Sequence, residues 1–85
     1  MVETYSPSSR HRIAMARDAV DNMIRRMTAG EILMRAAVLE KLMRKIGRLS
    51  DADDLQLRRA NYVQFPTPPV LERLAFEVCW AESWL

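Results

Sequence analysis

The segment from Glu31 to Gly47 constrains the fold most strongly, because apolar residues cover much more than one face of the helix that it predicts. One seam of apolar residues repeats at helical spacing and comprises Ile32, Ala36, Leu39, Met43 and Ile46. A second row lies beside this seam and comprises Met34, Val38 and Leu42. A helix with so much apolar surface needs neighbours on more than one side. We therefore predict that residues 29–47 form the central helix of a small all-α bundle.

The length and composition of the chain agree with a compact helical protein. Its 85 residues suffice for one domain, and we predict a single helical domain over residues 1–85 with a flexible tail at residues 1–6. Hydrophobic residues make up 49% of the chain, which argues against disorder. We expect three longer helices and one short helix.

The first helix is predicted over about residues 7–27, with Ser6 as its N-cap and Pro7 at its first position. Its apolar stripe comprises Ile13, Ala16, Val20, Met23 and Met27. Residues 28–31 match a capping box from Thr28 to Glu31, which favours a break before the central helix. The apolar spacing nevertheless continues past Gly30, so one continuous helix of about 40 residues in a dimer is the alternative.

The second half of the chain predicts one short helix and one long helix. Gly47 suits the position after a helix end, and Ser50 suits the N-cap of a helix over residues 51–62. The apolar face of that helix is weak and consists of Leu55, Leu57, Ala60 and Tyr62. Residues 63–66 are predicted to be extended, because residues before a proline avoid helical geometry. The last helix is predicted over residues 68–84, with Thr67 as its cap and Pro68 at its start. Its apolar face comprises Leu71, Leu74, Ala75, Val78 and Ala81.

The net charge of +2 hides an uneven distribution of basic and acidic residues. Residues 1–48 contain ten Arg or Lys and five acidic residues, whereas residues 49–85 contain three and six. The two halves could attract each other, or the basic half could bind nucleic acid or an acidic partner. The candidate basic face comprises Arg10, Arg12, Arg17, Arg25, Arg26, Lys41, Arg44, Lys45 and Arg48. Gly47 and the helices around it outline a helix-turn-helix, but three aspartates at the start of its second helix would repel phosphates.

An aromatic ridge is the second candidate surface, because Phe76, Trp80 and Trp84 repeat at intervals of four residues. Tryptophan is enriched at interface hot spots, so these side chains could anchor a protein partner. The alternative is that they belong to the core. Together with Met34, Val38 and Leu42, they make up the predicted partner-binding residues.

No motif in the sequence indicates catalysis, a cofactor or a metal. His11 and Cys79 are the only histidine and cysteine, and metal sites need three or four such ligands. A lone cysteine and the lack of a signal sequence favour the cytoplasm. The longest strongly apolar run contains Arg35 and is too short to cross a membrane.

These features predict a small non-enzymatic regulator, inhibitor or adaptor that binds a larger protein. The alternative is a nucleic-acid-binding regulator that uses the basic face of the first two helices. A homodimer is compatible with either function.

Overall fold

A computed structural model describes residues 17–85 of the chain. Helix α1 occupies residues 17–26 of this range, followed by α2 (Ala29–Lys45), α3 (Leu49–Gln64) and α4 (Pro68–Trp84). Residues 17–85 form no strand, and the predicted all-α bundle is confirmed. The predicted tail, the helix start at Pro7, and Arg10, His11, Arg12, Ile13 and Ala16 lie outside the described residues.

A capping box separates α1 from α2, as the sequence predicts. The Thr28 hydroxyl accepts a hydrogen bond from the Glu31 backbone N–H at 3.1 Å, and the Glu31 carboxylate accepts one from the Thr28 N–H at 2.8 Å. These two bonds satisfy N–H groups that the start of a helix otherwise leaves without partners. The alternative of one continuous helix is therefore wrong.

The turn from α2 to α3 is a Schellman motif centred on Gly47, whose φ of 82° lies in the left-handed region. The Gly47 N–H donates to the Arg44 carbonyl at 3.2 Å, and the Arg48 N–H donates to the Met43 carbonyl at 2.8 Å. Gly47 thus occupies the position after the helix end that the sequence predicts. The chain then turns within three residues and starts the next helix.

Helix α3 extends further in both directions than the sequence predicts. Its N-cap is Arg48 rather than Ser50, and the helix continues through Val63 to Gln64. The proline restriction acts only on Phe65, the residue directly before Pro66, and Phe65 leaves the helix with φ −127° and ψ 79°. With 16 residues, α3 is almost as long as α2 and α4 and packs against both of them.

The apolar face of α3 also differs from the prediction. Ala52 and Leu55 are buried and Tyr62 is half-buried, whereas Ala60 is exposed and Leu57 is 68% exposed. Leu55 and Leu57 are two residues apart, so they point to opposite sides of a helix.

The core is formed by one face of each helix. Val20 and Met23 come from α1, and Ala52 and Leu55 come from α3. The predicted seam of α2 is buried at four of its five positions. The predicted apolar face of α4 is buried except for Leu71, which is half-buried. The core residues of these two helices are Ile32, Ala36, Leu39 and Met43 on α2, and Leu74, Ala75, Val78 and Ala81 on α4. The fifth seam residue, Ile46, lies at the C-cap of α2 and is exposed.

One charged residue lies in this interior. Glu40 on α2 is only 6% exposed, and both of its carboxylate oxygens accept hydrogen bonds from Arg59 on α3, at 2.5 and 3.0 Å. The hydrogen bonds to Glu40 raise the pKa of Arg59, although partial burial opposes this. Two parallel bonds between a guanidinium and a carboxylate are the geometry in which a buried charge is best compensated.

Replacement of Arg59 by alanine should destabilise the fold strongly, because it leaves the Glu40 carboxylate buried without a partner. We expect Arg59→Ala to lower the free energy of unfolding by about 2–3 kcal/mol, measured by denaturant titration. The matched control is Arg44→Ala, which removes an exposed ion pair between the same two helices and should cost less than about 1 kcal/mol. Equal losses in the two variants would contradict the structural role of the buried pair.

Replacement of the two glycines by alanine should change the free energy of unfolding in opposite directions. A Cβ at Gly47 meets no atom within 4 Å but must adopt a positive φ, so Gly47→Ala should cost about 1 kcal/mol. Gly30 lies in the first turn of α2, where a Cβ comes only within 3.9 Å of the Thr28 hydroxyl. Gly30→Ala should therefore gain about 0.5 kcal/mol. The measurement is the free energy of unfolding, and a loss at Gly30 would be the contrary result.

Candidate partner-binding surface

Four apolar side chains form an exposed row along α2, which we call the α2 row. Met34 is 72% exposed, Val38 57%, Leu42 43% and Ile46 57%. Successive members are four residues apart, so each lies about one turn beyond the previous one. The row includes all three α2 residues that the sequence predicts for partner binding.

The placement of the row follows from the periodicity of α2. At about 100° per residue, Met34 and Val38 lie on the opposite side of the helix from the buried Ala36 and Met43. Neither α3 nor α4 can contact both sides of α2 at once. Sequence reasoning assigned Ile46 to the core, yet its spacing of four residues from Leu42 already fits the exposed row.

An open groove of 620 Å³ runs beside the first three residues of the row. The end of α1 and the side of α4 form its rim, and it is lined by Met27, Glu31, Met34, Arg35, Val38, Leu39, Leu42 and Glu82. The groove is shallow and widely open to solvent. An apolar side chain from another molecule can therefore lie against the row there.

The charges around the row are only partly compensated within the described part of the chain. Glu31 is held in the capping box, and Arg35 forms an ion pair with Glu82 at 3.3 Å. Lys41 and Lys45 are exposed and form no ion pair with any acidic residue in the range 17–85. The face of α2 that carries the row is thus apolar and positively charged.

Two residues of the predicted basic face are engaged with α3. Arg44 donates to the Asp53 carboxylate at 3.0 Å and to the Gln56 carbonyl oxygen at 2.8 Å. Arg48 donates to the Asp51 carboxylate, with its Nε at 2.8 Å. The aspartates at the start of α3 therefore neutralise cations of the first half of the chain. This observation agrees with the alternative that the two halves attract each other.

The remaining predicted cations occupy two helices. Arg17, Arg25 and Arg26 are exposed on α1, and Lys41 and Lys45 are exposed on α2. Arg10 and Arg12 lie outside the described residues. Five of the nine cations predicted for the basic face are therefore exposed on residues 17–85, apart from Arg44 and Arg48, which contact α3.

The aromatic residues of α4 pack against the core instead of forming an exposed ridge. Phe76, Trp80 and Trp84 are all half-buried. The Trp80 and Trp84 rings meet edge to face with centroids 5.3 Å apart, and the Arg48 guanidinium lies 4.3 Å from the centroid of the Trp84 ring. Arg48 therefore joins the α2–α3 turn to the last turn of α4 through a cation–π contact.

A second group of exposed apolar residues is more scattered. Leu57 projects from α3, whereas Val63 and Phe65 lie near the end of that helix, and all three are more than half exposed. They do not follow one helical row, since Leu57 and Val63 are six residues apart and lie about 120° from each other around the helix. Single exposed apolar residues are common on protein surfaces, so this group carries less weight than the α2 row.

Burial affects two titratable groups on α4. Burial raises the pKa of the Cys79 thiol, and its sulfur lies 4.0 Å from the Met23 sulfur. Burial also raises the pKa of Glu77, which Arg58 at 3.7 Å opposes. Residues 17–85 contain no group of three His, Cys, Asp or Glu side chains that could hold a metal ion. No helix among them is long and apolar enough to span a membrane.

Removal of the Trp84 ring should lower stability, because the ring packs on the core and on Arg48. We expect Trp84→Ala to cost about 2 kcal/mol of unfolding free energy, less than a fully buried tryptophan would. Trp84→Phe keeps an aromatic face for Arg48 and should cost about 1 kcal/mol or less. If Trp84→Ala unfolded at the same denaturant concentration as the native chain, the ring would have to be assigned to a surface role.

Comparisons of the chain with models of protein families, with curated proteins and with solved structures find no match in any of the three. Function can therefore be inferred only from the chemistry of the residues described above. Among them, the α2 row with its two lysines is the surface that the fold leaves exposed without an evident structural reason.

Proposed function

We propose that this chain is a small non-enzymatic regulator, inhibitor or adaptor that acts by binding a larger protein through the α2 row. The observation that carries the proposal is the exposure of four apolar side chains in one helical row. Contiguous apolar surface with a polar rim is typical of protein–protein contact sites. Binding alone would be enough to block or recruit the partner.

The row has dimensions that suit a protein ligand. From Met34 to Ile46 it spans about 18 Å, the length of roughly three helical turns. Each of its side chains would lose water on contact, and a row with four-residue spacing matches the contacts of one helix lying along another. Phe76, Trp80 and Trp84 would support the surface indirectly, because they hold α4 against the core below it.

Nucleic-acid binding is the alternative, and it depends on the exposed cations of α1 and α2. Lys41 and Lys45 have no acidic partner in the described range, which favours an anionic ligand. Arg44 and Arg48, however, already contact aspartates. Phosphate binding would compete with these ion pairs, so protein binding is the function that we favour.

A pull-down with paired variants tests the proposal. The tagged chain is recovered from its native cells, and copurifying proteins are compared for the native chain, Val38→Asp and Leu57→Asp. A charge at Val38 should reduce recovery of a stoichiometric partner about tenfold or more, since it places a carboxylate in the centre of the contact. Leu57→Asp, which changes an exposed apolar residue on α3, should leave recovery unchanged.

Both variants should melt at the same temperature as the native chain, because neither side chain is buried. Equal recovery from all three proteins would contradict a role for the α2 row. Steeply salt-dependent binding to mixed-sequence duplex DNA, lost in a Lys41→Glu/Lys45→Glu variant, would instead support the alternative.

A further inference from the structure

We infer that the occupant of the α2 row is an amphipathic helix of another protein, with acidic residues flanking its apolar face. This inference rests on the proposed function and adds the chemistry of the partner. It follows from the juxtaposition of the row with Lys41 and Lys45, from the short extent of the row, and from the charges that the alternative occupants would bring.

Both lysines lie on the side of α2 that carries Met34 and Val38. At about 100° per residue, Lys45 lies about 20° from both Met34 and Val38, and Lys41 lies about 20° from Met34. Their aliphatic stems can extend the apolar surface while the ammonium groups stay at its edge. A helix lying on the row would therefore meet cations beside its apolar contacts.

Acidic residues of the chain itself do not neutralise these lysines within the described range. Glu31, on the same face of α2, has its carboxylate engaged with the Thr28 N–H. Glu82, on the rim of the groove, is paired with Arg35. A partner carboxylate could thus approach Lys41 or Lys45 without displacing an existing ion pair among residues 17–85.

A second copy of the chain is a poorer occupant. Two α2 rows facing each other would bring four lysines into one interface, and like charges in close contact oppose association. The row is also only about 18 Å long, which matches one helical segment better than the whole side of a subunit.

Residues 1–16 are also a poor match for this surface by their charge. They contain Arg10 and Arg12 and only one acidic residue, Glu3. As an occupant they would add cations to a face that already carries Lys41 and Lys45. An acidic helix from another protein compensates the positive charge of this face, whereas a second copy of the chain or residues 1–16 would add to it.

A displayed peptide library tests the inference. Helical peptides of about four turns carry a fixed stripe of leucine and isoleucine, and their flanking positions are randomised over Glu, Gln and Lys. The library is sorted against the full native chain, against Lys41→Glu/Lys45→Glu and against Val38→Asp. Sequencing of the sorted pools gives the ratio of Glu to Lys at the flanking positions.

We expect the native chain to enrich Glu over Lys about tenfold at the flanks, and the lysine-to-glutamate variant to reverse this preference. Val38→Asp should retain few peptides of either kind. Identical flank preferences for the native chain and the lysine variant would overturn the inference. The inference would also be overturned if the native chain retained no more peptides than Val38→Asp does. A native dimer in sedimentation that Val38→Asp dissociates would overturn it as well.

Failure of the inference and failure of the proposed function give different results. If the pull-down partner is lost in Val38→Asp but the library shows no flank preference, the α2 row binds a protein without selecting acidic flanks. If no partner depends on Val38 and the library yields no binders, both the inference and the proposed function are refuted.

Discussion

The fold depends on the packing of α2, which carries more apolar surface than the other described helices can cover. Its buried side comprises Ile32, Ala36, Leu39 and Met43, and these residues contact the faces that α3 and α4 present. A chain of this size buries a smaller fraction of its surface than a larger protein does. The apolar residues of α2 are therefore divided between a packed side and an exposed side, and the exposed side is the candidate site.

Charged residues link the helices at the edges of this core. Arg35 pairs with Glu82 of α4, and Arg44 and Arg48 pair with aspartates of α3. In each pair a cation from the first half of the chain meets an anion from the second half. Part of the uneven charge of the sequence is thus compensated within the fold, whereas Lys41 and Lys45 form no ion pair with an acidic residue of the described range.

Local signals in the sequence predicted much of the fold. Thr28 and Glu31 predicted the capping box, Gly47 predicted the end of α2, and Thr67 with Pro68 predicted the start of α4. These features depend on neighbouring residues only. The prediction was less accurate for α3, where burial of Ala52 and exposure of Leu57 depend on how α2 and α4 approach the helix.

The candidate site was likewise predicted in part from local spacing and in part not, because burial depends on how the helices pack. The spacing of Met34, Val38 and Leu42 identified a second apolar row, which was predicted to bind a partner and which the fold leaves exposed. The aromatic residues of α4 were ambiguous, because Phe76, Trp80 and Trp84 have a spacing that suits both a core and an interface. In the structure Trp84 packs on the core, on the Trp80 ring and on the Arg48 guanidinium, and these are contacts between distant parts of the chain.

The pair between Glu40 and Arg59 has a consequence for the alignment of the helices. A shift of α3 by one turn, about 5.4 Å, would separate the guanidinium from the carboxylate and leave a buried charge alone. The ion pair therefore adds an electrostatic cost to shifted packings of α2 and α3, beside the loss of apolar contacts that such a shift would bring.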